Sequence, residues 1–284
     1  MVVPSELVGR QHRPDRSTVW VGRAGRQVPI GPHTFTLVAG PCAVESPDQA
    51  LEAGTMARAA GATLLRGGAF KPRTSPYAFQ GLGMRGLEIL AAVGESLGLP
   101  VVTEVVDARD VAAVAEHADM LQVGAGDMGS ALLAAVAEAG KPVLLERGTT
   151  ATIEEWLMAA EYVAQRGNLE IVLCERGIRT FEPSTRNTLD LSAVPVAQAA
   201  SHLPVVVDPS HASGRSDLVV PLSRAAIAVG ADGLVVDVHP DPEVALCDGP
   251  LSLHGPDLRA LAQAVRQLPA VMGRMPAEPT TVTP

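Results

Sequence analysis

The sequence predicts a single-domain α/β protein with the (β/α)8 architecture of a TIM barrel and a short N-terminal arm. Short apolar segments alternate with helical segments along most of the 284 residues. The apolar segments are continuous, as is typical of parallel strands covered on both faces. Eight such segments, each followed by a crossover, favour a closed barrel. The alternative is an open doubly wound sheet, but the first strand is followed by AGPCAVES rather than by a dinucleotide-binding glycine fingerprint.

The predicted strands are recognised in order by their Val, Leu and Ile content. Parallel neighbours need a long connection, and a helical segment lies between most successive strands. The strands are FTLVAG (35–40), TLLRGG (63–68), VVTEVV (101–106), MLQVGA (120–125), PVLLERG (142–148), EIVLCERG (170–177), PVVVDPS (204–210) and GLVVDVH (233–239).

The predicted helices are bounded by capping signals. Thr152 and Glu155 have the spacing of a capping box, and Asp48 and Ser130 are candidate N-caps. Glycines 61, 98, 140, 167 and 230 follow helical segments, as left-handed C-caps do. The helices are predicted at 48–60, 81–97, 108–117, 130–139, 152–166, 218–229 and 255–268, with one more near 194–200 in a longer connection.

The chain is expected to have three parts. Residues 1–34 carry Pro, Gly and charge and are predicted to be an N-terminal arm or a short hairpin. Residues 35–270 are predicted to be the catalytic barrel. Residues 271–284 end in PAEPTTVTP, a composition that predicts a disordered tail.

Composition excludes several classes of function. The formal charge of −9 argues against nucleic acid and anionic membranes as partners. No apolar run is long enough to span a membrane, and the first residues lack the apolar segment of a signal peptide. Three widely spaced cysteines do not form a disulfide framework. A cytoplasmic location is expected.

The segment LLRGGAFKPRTSP (64–76) carries the clearest sign of a ligand site. Arg66 ends a buried strand, and Lys71 and Arg73 follow among Thr74 and Ser75. Such cations suit a carboxylate or phosphate, because Arg binds these groups bidentately and Lys acts as a point charge. The intervening glycines would let the backbone approach a ligand closely. The competing interpretation is a solvated basic loop.

Charged and polar residues follow nearly every predicted strand, at the end where barrel enzymes place their active sites. Core packing does not account for so many polar groups, so the pattern indicates an enzyme. His239 and Cys174 are interpreted as structural. The other residues at the strand ends are the candidate site residues: Cys42, Arg66 with Lys71, Glu104, residues 124–127, Glu146 with Arg147, Glu175 with Arg176, Asp208 with His211, and Asp237.

Four residues at these ends and in the last loop can converge on one metal ion. Cys42, His211, Asp237 and Asp248 would supply a thiolate, an imidazole and two carboxylates, a set that suits Mn, Fe, Zn or Co. Taken singly, each has an ordinary explanation: a cysteine after a strand is often a small buried apolar residue, and a histidine can cap a loop.

Together these segments resemble the type I 3-deoxy-D-arabino-heptulosonate 7-phosphate (DAHP) synthases, in the short subclass related to octulosonate-phosphate synthases. The resemblance runs from about residue 36 to residue 253. It is carried, in order, by AGPCAVES, LLRGGAFKPRTSPYAFQGLG, VVTEV, EWLMAAEYV, LCERGIRTFE, TRNTLDLSAVP, DPSHASG and VHPDPEVALCDG.

The resemblance implies a metal-dependent condensation of phosphoenolpyruvate with an aldose phosphate such as erythrose 4-phosphate. It implies metal ligands at Cys42, His211 and Asp248, with Asp237 in place of a family glutamate. It also implies a Lewis-acid role for the metal, which polarises the aldehyde.

For the substrates, the resemblance implies that Arg66 and Lys71 hold the phosphoenolpyruvate carboxylate. Lys71 would also be a proton donor or shuttle. Arg176 would bind the donor phosphate, and the segment Arg73, Thr74 and Ser75 would bind the aldose phosphate.

Two positions depart from the family pattern. Where the family has a GARNM-like strand end, this chain has Gly124-Ala125-Gly126-Asp127-Met128, so that an arginine is replaced by Gly126. Where the family has LLKRG, this chain has Glu146, so that a lysine is replaced by an anion. A carboxylate beside a phosphate dianion is repulsive, unless Arg147 or another cation compensates.

Three hypotheses follow. The first is the family's usual synthase activity, and the second is a diverged aldolase whose donor lacks the phosphate or carries an amine. The third is a non-catalytic barrel that senses a metabolite or binds a partner.

The usual activity places the enzyme in the shikimate pathway and aromatic amino acid biosynthesis, with small anionic substrates. The resemblance implies a homo-oligomer, dimer or tetramer. A 34-residue segment before the barrel is too short for a regulatory domain, so no built-in feedback is expected.

Overall fold

A computed structural model of the chain describes residues 6–71, 75–126 and 130–278. Within those residues, eight parallel strands close into a barrel, because the last of them pairs with the first. The predicted (β/α)8 fold is therefore confirmed. The barrel strands are β3 (Thr34–Gly40), β4 (Leu64–Arg66), β5 (Val101–Val105), β6 (Met120–Val123), β7 (Val143–Glu146), β8 (Ile171–Glu175), β9 (Val205–Val207) and β10 (Gly233–Asp237).

Both faces of the barrel sheet are apolar, and successive residues of each strand alternate between two cores. The outer core lies between the strands and the surrounding helices. The inner core fills the barrel with one or two side chains from each strand: Val38, Leu64, Val102, Met120, Leu144, Val172, Cys174, Val206 and Val235. This double burial explains why the strands read as continuous apolar runs.

An antiparallel hairpin precedes the barrel and closes its N-terminal end. Its strands are β1 (Val19–Arg23) and β2 (Arg26–Ile30). Four of its apolar side chains belong to the same cluster as the inner core of the barrel. The Thr36 hydroxyl, near the start of β3, donates a hydrogen bond to the Pro29 carbonyl at 2.8 Å. The stretch predicted as an arm or hairpin thus contains a hairpin.

Helices surround the barrel between the strands. The capping box of Thr152 and Glu155 is confirmed, with both reciprocal hydrogen bonds present. The predicted N-cap Asp48 is wrong: Ser46 caps this helix through Gln49 N at 3.1 Å, and Pro47 fits the first helical position. The helices are α1 (Pro47–Ala59), α2 (Met84–Leu97), α3 (Val111–His117), α4 (Ser130–Glu138), α5 (Ile153–Ala164), α6 (Ala193–Ala200), α7 (Pro209–Ser213), α8 (Ser216–Val229) and α9 (Gly255–Val271).

A buried carboxylate pairs with one arginine from the N-terminal segment and one from the C-terminal segment of the described chain. Asp232, just before β10, pairs with Arg16 and with Arg274, the latter at 2.7 Å. The short strand β11 (Met275–Pro276) then pairs with the start of β3. The prediction of a disordered tail from 271 is therefore wrong for residues 271–278, because helix α9 and this strand pairing hold them. Residues 279–284 lie outside the described residues.

None of the helices in the part of the chain that the structure describes is both long and apolar enough to cross a membrane.

Candidate active site

A polar layer lies above the inner core, at the C-terminal ends of the barrel strands. Each of its members comes two residues after an inner-core residue, so strand alternation directs it into the barrel. Several of them line a cavity of about 190 Å³. The layer consists of Arg66, Glu104, Gln122, Glu146, Arg176, Asp208 and Asp237.

The structure brings the four predicted metal ligands together at one side of this cavity. Cys42 Sγ lies 3.9 Å from His211 Nε2 and 3.4 Å from Asp248 Oδ2. His211 Nε2 lies 3.5 Å from Asp237 Oδ2 and 3.9 Å from Asp248 Oδ2. The residues come from the loop after β3, from α7 and from the end of β10 with its following loop, so barrel closure is what joins them.

These residues fit a divalent transition metal. Asp237 Oδ2 is buried without a hydrogen-bond partner, although buried polar atoms normally have one. The imidazole of His211 is oriented through Nδ1, which lies 2.8 Å from Asp208 Oδ2, and this leaves Nε2 directed at Cys42 and Asp237. A carboxylate behind a histidine is the usual support of a metal-binding imidazole.

The charges in this cluster act on one another. Burial opposes protonation of His211, but Asp208 and Asp237 raise its pKa well above the usual value. For Asp208, burial opposes ionisation, but the nearby His211 lowers the pKa below its ordinary value. The cluster therefore holds negative charge that a cation, either a proton or a metal, must balance.

Two buried cations face the predicted metal ligands. Arg66 Nη1 donates to Asp237 Oδ1 at 2.6 Å and to the Pro41 carbonyl at 3.1 Å. Lys71 Nζ lies 3.3 Å from Cys42 Sγ. Burial opposes the charge on Lys71, but the adjacent Cys42 and Glu104 raise the lysine pKa above its ordinary value, so Lys71 is protonated at neutral pH.

Gly68 allows Lys71 to reach this position. A Cβ atom at Gly68 would stand 2.4 Å from Lys71 Cε and 2.7 Å from the Cys42 carbonyl oxygen. Gly68 therefore has a packing role, because the Lys71 stem lies where a side chain at position 68 would be.

Glu146 is embedded in the far wall of the cavity. Its carboxylate accepts hydrogen bonds from Gln122 Nε2 at 2.7 Å and from Ala125 N at 2.9 Å. Its Oε2 also lies 3.5 Å from Arg176 Nε. Arg176, the predicted phosphate ligand, is therefore already facing an anion.

Arg147 does not compensate for Glu146. As the next residue along the chain, it points out of the barrel, where Nη1 lies 3.0 Å from Glu175 Oε2 and 2.9 Å from Asp190 Oδ2. The possibility that Arg147 replaces the lost cation is wrong for this structure, because strand alternation and two carboxylates hold it elsewhere.

Two further charged groups in the cavity respond to Glu146. Burial and the negative charge of Glu146 raise the pKa of Glu104 above its ordinary value. Burial opposes the charge on Arg176, but Glu146 and Asp208 raise the arginine pKa.

Three cavity residues were not assigned a role from sequence. Gln122 is a single polar residue in an apolar strand, which is a usable signal. Cys247 directly precedes Asp248, and its Sγ lies 3.7 Å from Cys42 Sγ. Arg186 Nη2 donates to Asp248 Oδ1 at 2.7 Å across 62 residues of sequence, a contact with no local signal.

Asp248 has the only positive φ outside glycine in the described residues, at 52°. A non-glycine residue in this region carries backbone strain, which is found most often at functional sites. The left-handed turn and the Arg186 contact together orient the Asp248 carboxylate toward Cys42.

The predicted aldose-phosphate segment is only partly described. Arg73 and Thr74 lie outside the described residues, as does Asp127. Ser75 is exposed, and its hydroxyl accepts a hydrogen bond from Tyr77 N at 3.3 Å. Gly126 is exposed, and a Cβ atom there would meet nothing within 4 Å.

Comparison with known proteins shows which family this chain resembles in sequence and structure. The model of the DAHP synthetase I family matches residues 16–272. The chain is 51% identical over 271 residues to a phospho-2-dehydro-3-deoxyheptonate aldolase of Thermotoga maritima, covering 95% of this chain and 79% of that protein. It is 35% identical over 261 residues to a 2-dehydro-3-deoxyphosphooctonate aldolase of Trichlorobacter lovleyi, covering 85% of this chain and 95% of that protein.

A solved structure agrees with these relatives. The crystal structure of a phospho-2-dehydro-3-deoxyheptonate aldolase (DAHP synthase) from Thermotoga maritima superposes with a TM-score of 0.90 at 50% identity. The match covers 95% of this chain and 78% of that one.

Proposed function

The chain belongs to the DAHP synthetase I family, and we propose that it condenses phosphoenolpyruvate with erythrose 4-phosphate and releases inorganic phosphate. The product would be 3-deoxy-D-arabino-heptulosonate 7-phosphate, the entry compound of the shikimate pathway. The observation that carries this proposal is the convergence of Arg66, Lys71 and Arg176 on one cavity beside a thiol, imidazole and carboxylate cluster.

A divalent metal is part of the proposed function, with Mn, Fe, Co or Zn as candidates. Cys42, His211, Asp237 and Asp248 would hold it, through the atoms that approach one another at 3.4–3.9 Å. When bound there, the metal supplies a Lewis acid that polarises the aldehyde oxygen of the acceptor.

The donor carboxylate is assigned to Arg66 and Lys71. Both are buried at the base of the cavity, where water does not compete for their charge. Lys71 is protonated, because the adjacent Cys42 and Glu104 raise its pKa against the effect of burial. It is therefore placed to hold a proton near the reacting carbons and to return it during turnover.

The donor phosphate is assigned to Arg176, whose Nε is buried without a hydrogen bond and lines the cavity. A phosphate binding to this guanidinium competes with Glu146 at 3.5 Å. The aldose phosphate is assigned to Arg73, Thr74 and Ser75, by the family motif that these residues share.

Of the three hypotheses raised by the sequence, the relatives favour the first. Both curated relatives are aldolases of phosphorylated 3-deoxy sugar acids, and the identity extends over most of this chain. The donor-switched aldolase and the non-catalytic barrel have no comparable support. Glu146 is best treated as a feature that weakens donor binding rather than as the sign of another reaction.

The test is release of inorganic phosphate from phosphoenolpyruvate and erythrose 4-phosphate by the Mn²⁺-loaded enzyme. Release should require both substrates and the metal, and mass spectrometry should find a seven-carbon phosphorylated keto acid. Pyruvate in place of phosphoenolpyruvate is the control, and it should give neither phosphate nor that product. Absence of phosphate release at millimolar substrates, with Zn²⁺, Co²⁺ and Fe²⁺ also tried, would contradict the proposal.

We further propose that the enzyme acts in the cytoplasm as a dimer or tetramer. Light scattering of the purified protein tests the assembly, and a monomer at micromolar concentration would refute it.

A further inference from the structure

We propose that Cys247 is a further metal ligand, so that the site binds its ion with two thiolates and prefers thiophilic metals such as Zn²⁺ or Co²⁺ over Mn²⁺. The proposal rests on the metal of the proposed function. Cys42, Cys247 and Asp248 place one ligand atom each within 4.8 Å of the others, and Cys42, His211 and Asp237 form a second such group. Cys42 belongs to both groups.

The distances in the first group match those between neighbouring ligands of one metal ion. Zn–S bonds of about 2.3 Å and Zn–O bonds of about 2.1 Å at tetrahedral angles give S···S near 3.8 Å and S···O near 3.6 Å. The structure has 3.7 Å between the two sulfurs, 3.4 Å from Cys42 Sγ to Asp248 Oδ2 and 3.8 Å from Cys247 Sγ to Asp248 Oδ2. The three atoms therefore already stand at separations that neighbouring ligands of one metal ion require.

The sulfurs are held near each other without being bonded. A disulfide would require about 2.05 Å between them. Cys247 is buried, and its Sγ lies between Cys42 Sγ at 3.7 Å and Asp248 Oδ2 at 3.8 Å.

The surroundings supply the positive charge that a second thiolate needs. Arg66 pairs with Asp237, Lys71 faces Cys42, and Arg186 pairs with Asp248. Lys71 also interacts electrostatically with Cys247. Two thiolates and two carboxylates exceed the charge of a divalent ion by two negative charges, and these three cations offset that excess.

Two thiolates predict a metal preference. Thiolates select soft ions, whereas Mn²⁺ and Mg²⁺ prefer oxygen ligands. Replacing Cys247 by serine should lower Zn²⁺ affinity by about tenfold or more, the loss typical of removing a group that supports a metal site, and should leave Mn²⁺ affinity nearly unchanged.

The direct test is X-ray absorption of the Zn²⁺-loaded wild-type protein, prepared under reducing conditions. Two sulfur ligands at about 2.3 Å are expected. A single sulfur ligand, or none, would overturn the proposal. This measurement needs no substitution and no turnover, so it is separate from the phosphate-release test of the proposed function.

The second test is the sulfur-to-cobalt charge-transfer absorption of the Co²⁺-loaded protein. Cys247→Ser and Cys42→Ser should each lose about half of the intensity, because each removes one of two thiolates. Cys174→Ala is the matched control, since Cys174 is buried in the inner core of the barrel, and it should keep the full band. Full intensity in Cys247→Ser would show that Cys247 is a neighbour of the site and not a ligand.

Discussion

Glu146→Gln is the substitution that most directly probes the donor site. It removes one negative charge while preserving the size of the side chain and an acceptor for Ala125 N. In the structure, Glu146 Oε2 lies 3.5 Å from Arg176 Nε. At an effective dielectric constant near 20, unit charges at that separation attract by about 5 kcal/mol. A donor phosphate that binds Arg176 works against this attraction.

The expected effect is a lower KM for phosphoenolpyruvate. If about a third of the attraction is returned to the phosphate, roughly 1.5 kcal/mol, the KM falls about tenfold. The KM for erythrose 4-phosphate should stay within about twofold, because the acceptor phosphate is assigned to a different segment. Initial rates of phosphate release, with each substrate varied in turn, measure both constants.

The control is Glu155→Gln, which removes the same charge from the exposed first turn of α5. Glutamine can still complete the capping box, so neither constant should change. An unchanged or higher KM for phosphoenolpyruvate in Glu146→Gln would refute the assignment of Arg176 to the donor phosphate.

Three further predictions concern the metal, a titrating group and the chain ends. Cys42→Ala should lower turnover by more than about 100-fold, because removing a group that only supports a metal ligand already costs roughly that much. Phosphate release at saturating metal measures this loss, and undiminished turnover would show that Cys42 is not a metal ligand. Burial and Glu146 raise the pKa of Glu104 in the folded protein above its ordinary value of 4.5. The bound proton therefore stabilises the fold fully below pH 4.5, and this stabilisation is lost as the pH rises through the raised pKa. Glu104→Gln should therefore raise the thermal unfolding midpoint at pH 8 and not at pH 4, and equal shifts at both pH values would contradict the assignment. Asp232→Asn should cost about 3–5 kcal/mol in urea unfolding, because it leaves two arginines without their buried partner, whereas Asp217→Asn at an exposed ion pair should change little.

The fold was predictable from sequence because its signals are local. Continuous apolar strands, capping residues and helix-ending glycines each depend on a few neighbouring residues, and together they favour a closed parallel sheet. The errors are local as well. Asp48 resembles the cap Ser46 because both are good N-cap residues at the start of α1, and the two-residue strand at Met275 has no apolar pattern that would predict it.

The candidate site was predictable in its residues but not in its contacts. The strand ends identified Cys42, His211 and Asp237 as neighbours, since parallel strands place their C-terminal ends at one edge of the barrel. The sequence places Glu146 beside the donor phosphate but leaves the direction of Arg147 open, because that depends on how β7 is oriented in the barrel. Arg186 could not be found at all, because its partner lies 62 residues away in another loop.

The carboxylate of Asp232 has a consequence for how the gene could be rearranged. Arg16 and Arg274 both meet it at the closed end of the barrel, opposite the cavity, so the chain segments at these two arginines are adjacent in space. Joining them and opening the chain in a surface loop should preserve the barrel, as circular permutation does when termini are close. By the same geometry, a domain fused near either end would lie on the face farthest from the substrates.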